Sequence, residues 1–152
     1  MNEASYTTTF TVDQSPAETF AAINNVRGWW SGEIDGRTDE LGAQFTYRHL
    51  DIHRSKQEIT ELIPGQRVAW HVLDGYLNFT EDTTEWTGTD ITFDLVPAGS
   101  GTEVRFTHAG LVPQHECFDT CANAWSFYIS TSLRNLIATG TGQPNEKEHA
   151  SR

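Results

Sequence analysis

The spacing of apolar residues changes period once along this chain, and that change limits what it can fold into. Over much of the stretch from Tyr6 to His108, apolar residues recur at every second position, in runs broken by glycine and proline. From His115 to Thr139 there is no internal glycine or proline. There Phe118, Cys121, Ala122, Trp125, Ile129, Leu133, Leu136 and Ile137 recur at helical spacing along one broad stripe. Strands joined by tight turns pair antiparallel and leave a face to cover, and a helix of about 25 residues, some 37 Å long, crosses a whole sheet. The pattern predicts a two-layer α+β fold of the helix-grip kind, a curved antiparallel sheet of about six strands around one long C-terminal helix.

Tyr6, Thr8, Phe10 and Val12 alternate as a strand with one buried face. Ser15-Pro16-Ala17-Glu18 then offers a hydroxyl N-cap, proline at the first helical position and glutamate at the third. A short helix is predicted to about Ile23, resuming over Val26 to Trp30, with Gly32 and Gly36 marking a loop. Strands follow at Gln44–Leu50, His53–Ile63, Arg67–Leu73, Thr84–Val96 and Glu103–His108. The second of these is polar, with only Ile59 and Leu62 to anchor it, and reads as half-exposed. Pro64-Gly65 and Asp74-Gly75 carry turn signals, and Gly88 suggests a bulge in a long strand. Val104, Phe106 and His108 share one face of the last strand. Gly140 suits the helix C-terminus, residues 1–142 form one domain, and 143–152 read as a polar tail.

A formal net charge of -11 over 152 residues repels phosphate backbones and anionic headgroups, so neither nucleic acid nor a membrane is expected as a partner. The N-terminus shows no export signal and no run is long enough to span a bilayer. The expected location is the cytoplasm. The Asn78-Phe79-Thr80 sequon is then accidental, and Cys117 and Cys121 are expected as reduced thiols.

The order of these elements, with Trp29-Trp30 after the first helices and Trp70-His71 in a middle strand, resembles the START/Bet v1-like (SRPBCC) superfamily. Within it, Thr102-Glu103-Val104-Arg105-Phe106-Thr107-His108 followed by the helix is similar to the domains called activator of Hsp90 ATPase homologue 1-like. The stretch Glu116-Cys117-Phe118-Asp119-x-Cys121-x-Asn123-Ala124-Trp125 resembles one bacterial subfamily of these. The resemblance covers roughly Tyr6 to Pro144. It implies a space between sheet and helix that holds an apolar small molecule in many relatives, and a partner surface in the Hsp90-activating ones. Those cochaperones carry a further N-terminal domain, whereas this sequence opens on the first strand. The label is therefore expected to name a fold.

The residues expected to line the interior are Trp29, Trp30, Phe45, Tyr47, Trp70, Phe93, Phe106, His108, Trp125 and Ile129. Aromatic side chains of about 150–250 Å² each could enclose a guest or fill the space outright. His108, Tyr47 and His49 are polar groups whose strand phase allows them to face inward; Tyr47 and His108 are the pair to suspect if a cyclase- or dehydratase-type reaction is catalysed there. Tyr76, Leu77 and Phe79 cluster after Asp74-Gly75, where they would gate the interior, contact a partner or second copy, or tuck under the helix end. Cys117 and Cys121, four apart on a helix and near His115, lack the spacing and ligand number of a metal site, so neither metal nor cofactor is expected. Asp51, His53 and Glu61 form an acid–base grouping that chance readily supplies among 21 acids and six histidines. No nucleophile elbow, phosphate loop or His-Glu-x-x-His motif occurs, and a non-enzymatic binding role is expected.

Overall fold

The first strand ends where its sequence says it should. In the computed structural model, which describes residues 6–30, 34–49, 53–77, 86–111 and 118–143, β1 (Tyr6–Val12) stops before Ser15. The Ser15 Oγ accepts from the Glu18 backbone N–H at 3.1 Å, and the Glu18 carboxylate accepts from the Ser15 N–H at 3.0 Å. With Pro16 at its first position, this capping box opens α1 (Pro16–Asn24), and α2 (Val26–Trp29) follows at once.

The sheet has seven antiparallel strands: β1, β2 (Ile34–Asp35), β3 (Gln44–His49), β4 (His53–Ile63), β5 (Arg67–Leu77), β6 (Asp90–Ala98) and β7 (Gly101–Ala109), in spatial order β1-β7-β6-β5-β4-β3-β2. The two-residue β2 is the strand that alternation does not reveal, because two residues are too few to show a period. β1 closes onto β7 with Tyr6 opposite His108 and Val12 opposite Thr102, so the first and last strands are neighbours in the sheet.

Two expectations about β5 and β6 need correcting. Asp74-Gly75 is no turn: β5 runs through both residues to Leu77. Gly75 is needed there because a Cβ would lie 2.7 Å from the Trp86 Cβ, where the turn over residues 86–88 crosses the strand. β6 begins only at Asp90, and Gly88, at φ +85°, belongs to that turn and makes no bulge. The register shifts in β4 and β5 fall elsewhere. Thr60 and Leu73 are each skipped when Ile59 pairs with Trp70, Glu61 with Ala69, Gln57 with Val72 and Lys56 with Asp74.

The C-terminal helix consists of α3 (Phe118–Phe127), a π-helical segment (Tyr128–Leu133) and α4 (Arg134–Thr139), ending at Gly140 with φ +87°. The widened turn follows from the apolar spacing. Cys121, Trp125, Ile129, Leu133 and Ile137 stand four residues apart and are all buried. In a regular α-helix such a row drifts by about 40° at each step and would leave the sheet. A π turn takes up the drift.

Candidate functional site

Every residue expected inside is inside. Phe45 and Tyr47 on β3, Trp70 on β5, Phe93 on β6, and Phe106 and His108 on β7 project from one face of the sheet, facing Trp125 and Ile129 of the helix. Trp29 and Trp30 complete the group from the end of α2, and all ten are buried. The rings touch. Trp30 stacks on Tyr47 at 4.2 Å between centroids, and Trp29, Trp30 and Trp70 lie 6.0–6.4 Å apart with planes within 12° of parallel. Phe45 and Phe93 meet Trp70 edge-on at 5.0 and 5.1 Å, and Trp125 packs on Phe106 at 4.8 Å.

His108 is held by the protein on both ring nitrogens. Thr89 Oγ1 donates its one hydrogen to the Trp86 carbonyl at 2.6 Å, so it accepts from His108 Nε2 at 2.8 Å. The Trp125 indole N–H donates to His108 Nδ1 at 3.0 Å. These bonds impose the neutral Nε2–H tautomer and give His108 the role of a buried cross-link between β7, the turn over residues 86–88 and the helix. The suspected Tyr47–His108 acid–base pair thus has a histidine already engaged on both sides.

Other groupings are not assembled. His53 opens β4 and Glu61 lies eight residues along it, about 26 Å away at strand rise; Asp51 is outside the described residues. Glu61 is engaged with Arg67, whose guanidinium also binds Asp94. The hydrogen bond that Arg67 donates to Glu61, then the one it donates to Asp94 and the charges of Asp94 and Glu61, hold the arginine above its ordinary pKa against the opposing effect of burial. Cys121 is buried, while Cys117 and His115 lie outside the described residues. Among the described residues no group of three or more His, Cys, Asp or Glu is placed to hold a metal. His49 pairs with His53 at the far end of β3 and β4. Tyr76 and Leu77 are strand residues of β5; the Tyr76 ring is half-buried with the Arg54 guanidinium 5.3 Å above it, and Phe79 lies outside the described residues.

The sequence reading missed the polar side of this interior. β4 is not merely half-exposed: Ser55 and Gln57 are as buried as Ile59 and face the same way. The Ser55 hydroxyl, both polar atoms of the Gln57 amide and the Trp70 indole N–H have no hydrogen-bond partner. Each such buried group costs about 1–3 kcal/mol. Gln14, Thr19 and Asn24 each leave one oxygen in the same state elsewhere. Among the described residues, only the β4–β5 set combines such donors with acceptors on neighbouring strands. Its signal in the sequence was the alternation Ser55, Gln57, Ile59 in phase with one another.

A separate open groove of about 700 Å³ lies outside the sheet–helix interior, between Phe20 and Asn24 of the first helix and the segment from Gly36 to Asp39. None of the expected site residues lines it. No helix among the described residues is long and apolar enough to cross a membrane.

The architecture matches known structures along nearly its whole length. The solution structure of the Aha1 dimer from Colwellia psychrerythraea is 25% identical, superposes with a TM-score of 0.73, and is covered over 99% of its length by 91% of this chain. MLL2253 from Mesorhizobium loti is 15% identical, with a TM-score of 0.68 over 84% of this chain and 92% of that one. CalU16 from Micromonospora echinospora is 16% identical, with a TM-score of 0.62 over 86% and 72%. A search of the curated proteins returns no match. The fold is that of a ligand-binding or partner-interaction domain. With residues 13–138 matching the family described as "Activator of Hsp90 ATPase homolog 1-like protein", and a seven-stranded sheet packed on a C-terminal helix, the chain belongs to that family within the START/Bet v1-like superfamily.

Proposed function

We propose that this protein is a cytoplasmic, non-enzymatic binding domain that takes a hydrophobic or aromatic small molecule into the interior between sheet and C-terminal helix. The observation that carries this reading is the unpartnered Ser55–Gln57–Trp70 set on the inner wall, beside stacked aromatic rings. A solid core gains nothing from keeping an amide and a hydroxyl unsatisfied, whereas a binding interior is mostly apolar with a few convergent polar groups. Native mass spectrometry of the protein purified from its own host, with tryptophan fluorescence titrations of apolar ligands beside it, tests the reading. A co-purifying molecule that quenches the buried tryptophans supports it. An empty mass with no quenching by any ligand sinks it.

A second reading, association with a protein partner or a second copy, is favoured by the dimeric Colwellia relative and by Phe127, which is 45% exposed on α3 with its ring against Tyr128 at 5.4 Å. The Tyr76–Phe79 stretch is the other candidate contact. Sedimentation of the protein and of Phe127→Glu distinguishes the two: a dimer that the substitution dissociates favours this reading, and a monomer at all concentrations removes the homodimer.

A further inference from the structure

We infer that the guest is a neutral, planar aromatic molecule carrying a hydrogen-bond donor and acceptor side by side, and that Gln57 determines this specificity. The inference rests on the binding reading above and names the chemistry of its ligand. Gln57 lies opposite Phe45 on one side and Val72 on the other, and Ser55 lies opposite Tyr47. Trp70, opposite Ile59, stands on the diagonal from Gln57, about 7–8 Å away in Cα position. Ser55 is the next inward-facing residue along β4, also about 7 Å away. The three side chains therefore share one patch of the inner wall, and all are at least 99% buried.

Their chemistry is complementary to a particular group. The Gln57 amide presents a carbonyl acceptor and an NH₂ donor together, the Ser55 hydroxyl serves as either, and the Trp70 indole only donates. A carboxamide, lactam or comparable cis donor–acceptor pair satisfies Gln57 twice and leaves an acceptor for Ser55 or Trp70. Charge is disfavoured: among the described residues no Asp, Glu, Lys or Arg is buried, and the one buried histidine has both nitrogens engaged. A charged guest would enter without a counter-ion. Shape follows from the rings, since Trp29, Trp30, Trp70 and Tyr47 align their planes within 12° in each measured pair, so a flat guest extends an existing stack.

The test compares naphthalene, 1-naphthamide and 1-naphthoate by tryptophan quenching on the full chain and on Gln57→Leu, with Ser55→Ala as a second variant. The neutral amide is expected to bind at least tenfold more tightly than either of the others, as one or two buried hydrogen bonds supply. Gln57→Leu is expected to erase that preference, retain naphthalene binding and raise the melting temperature of the ligand-free protein, because it removes an unsatisfied group. Ser55→Ala is expected to reduce the preference without abolishing it. Equal affinity for naphthalene and naphthamide overturns the inference while leaving the binding reading intact. A melting temperature lowered by Gln57→Leu, with the preference unchanged, also overturns it. Failure of all three probes to bind overturns both.

Discussion

His108 shows how much of a residue's role is decided by its neighbours. Its strand phase faces it inward, where a histidine could serve a ligand, a proton transfer or the core. The Thr89 hydroxyl and the Trp125 indole together decide for the core, since one accepts and the other donates, leaving a single tautomer. Long-range ¹H–¹⁵N spectra are expected to show a protonated Nε2 and an unprotonated Nδ1; the opposite pattern would refute the network. His108→Phe leaves the Trp125 N–H without its acceptor and is expected to cost about 1–3 kcal/mol in chemical denaturation. Gly75 carries a comparable constraint from sterics. A side chain there meets Trp86 at 2.7 Å, so Gly75→Ala is expected to destabilise by about 1–3 kcal/mol through overpacking. An unchanged midpoint would mean that the turn over residues 86–88 yields freely.

At the scale of elements, the signals that held are those whose cause is local. The Ser15–Glu18 box needs only four residues, and Ser15→Ala is expected to cost about 1 kcal/mol by thermal melting. The strict four-residue spacing of Cys121, Trp125, Ile129, Leu133 and Ile137 was also in plain view, and it asks for the widened turn that the helix contains. Within that turn, Ser132 Oγ donates to the Trp29 carbonyl at 2.7 Å and accepts from the Gln143 N–H at 2.7 Å. It fastens α2 and the segment after α4 to the helix. Ser132→Ala is expected to lower stability by about 1–3 kcal/mol and to raise amide exchange at Gln143 selectively. Exchange unchanged there would show that the bond carries no load. The turn reading of Asp74-Gly75 failed because the same glycine signature serves a tight turn and a close approach, and only the position of Trp86 distinguishes them.

For the whole molecule, the aromatic interior joins both layers into one cooperative unit. Trp70 touches Trp29, Trp30, Phe45 and Phe93, and Trp125 touches Trp30, Trp86 and Phe106. Trp125→Asp would bury an unpaired carboxylate between them and is expected to abolish cooperative unfolding at neutral pH; a sharp transition near that of the parent protein would show that helix and sheet are not one core. The exposed side contributes little by comparison. Arg67 bridges Glu61 on β4 and Asp94 on β6, but these groups are partly solvated, and such pairs are worth at most about 1 kcal/mol. At the sheet edge, the Arg27 guanidinium donates to the carbonyls of Ile34 and Gly36 at 2.8 and 2.9 Å, covering β2 against pairing with another strand.

The alternation of Tyr6–Val12 and Glu103–His108, the change of period at the last helix and the cap at Ser15 were enough, by themselves, to determine the fold class and the inward faces of those segments. Burial of an aromatic face is a property of each segment and survives any assembly that gives the segment a core. Which polar residues join that face is different. Ser55 and Gln57 look like the solvent side of a polar strand until β3 and β5 close over them, and His108 looks available until Thr89 and Trp125 arrive from distant parts of the chain. Hydrogen-bond satisfaction depends on atoms far apart in sequence meeting within 3 Å, and only the tertiary structure brings them there.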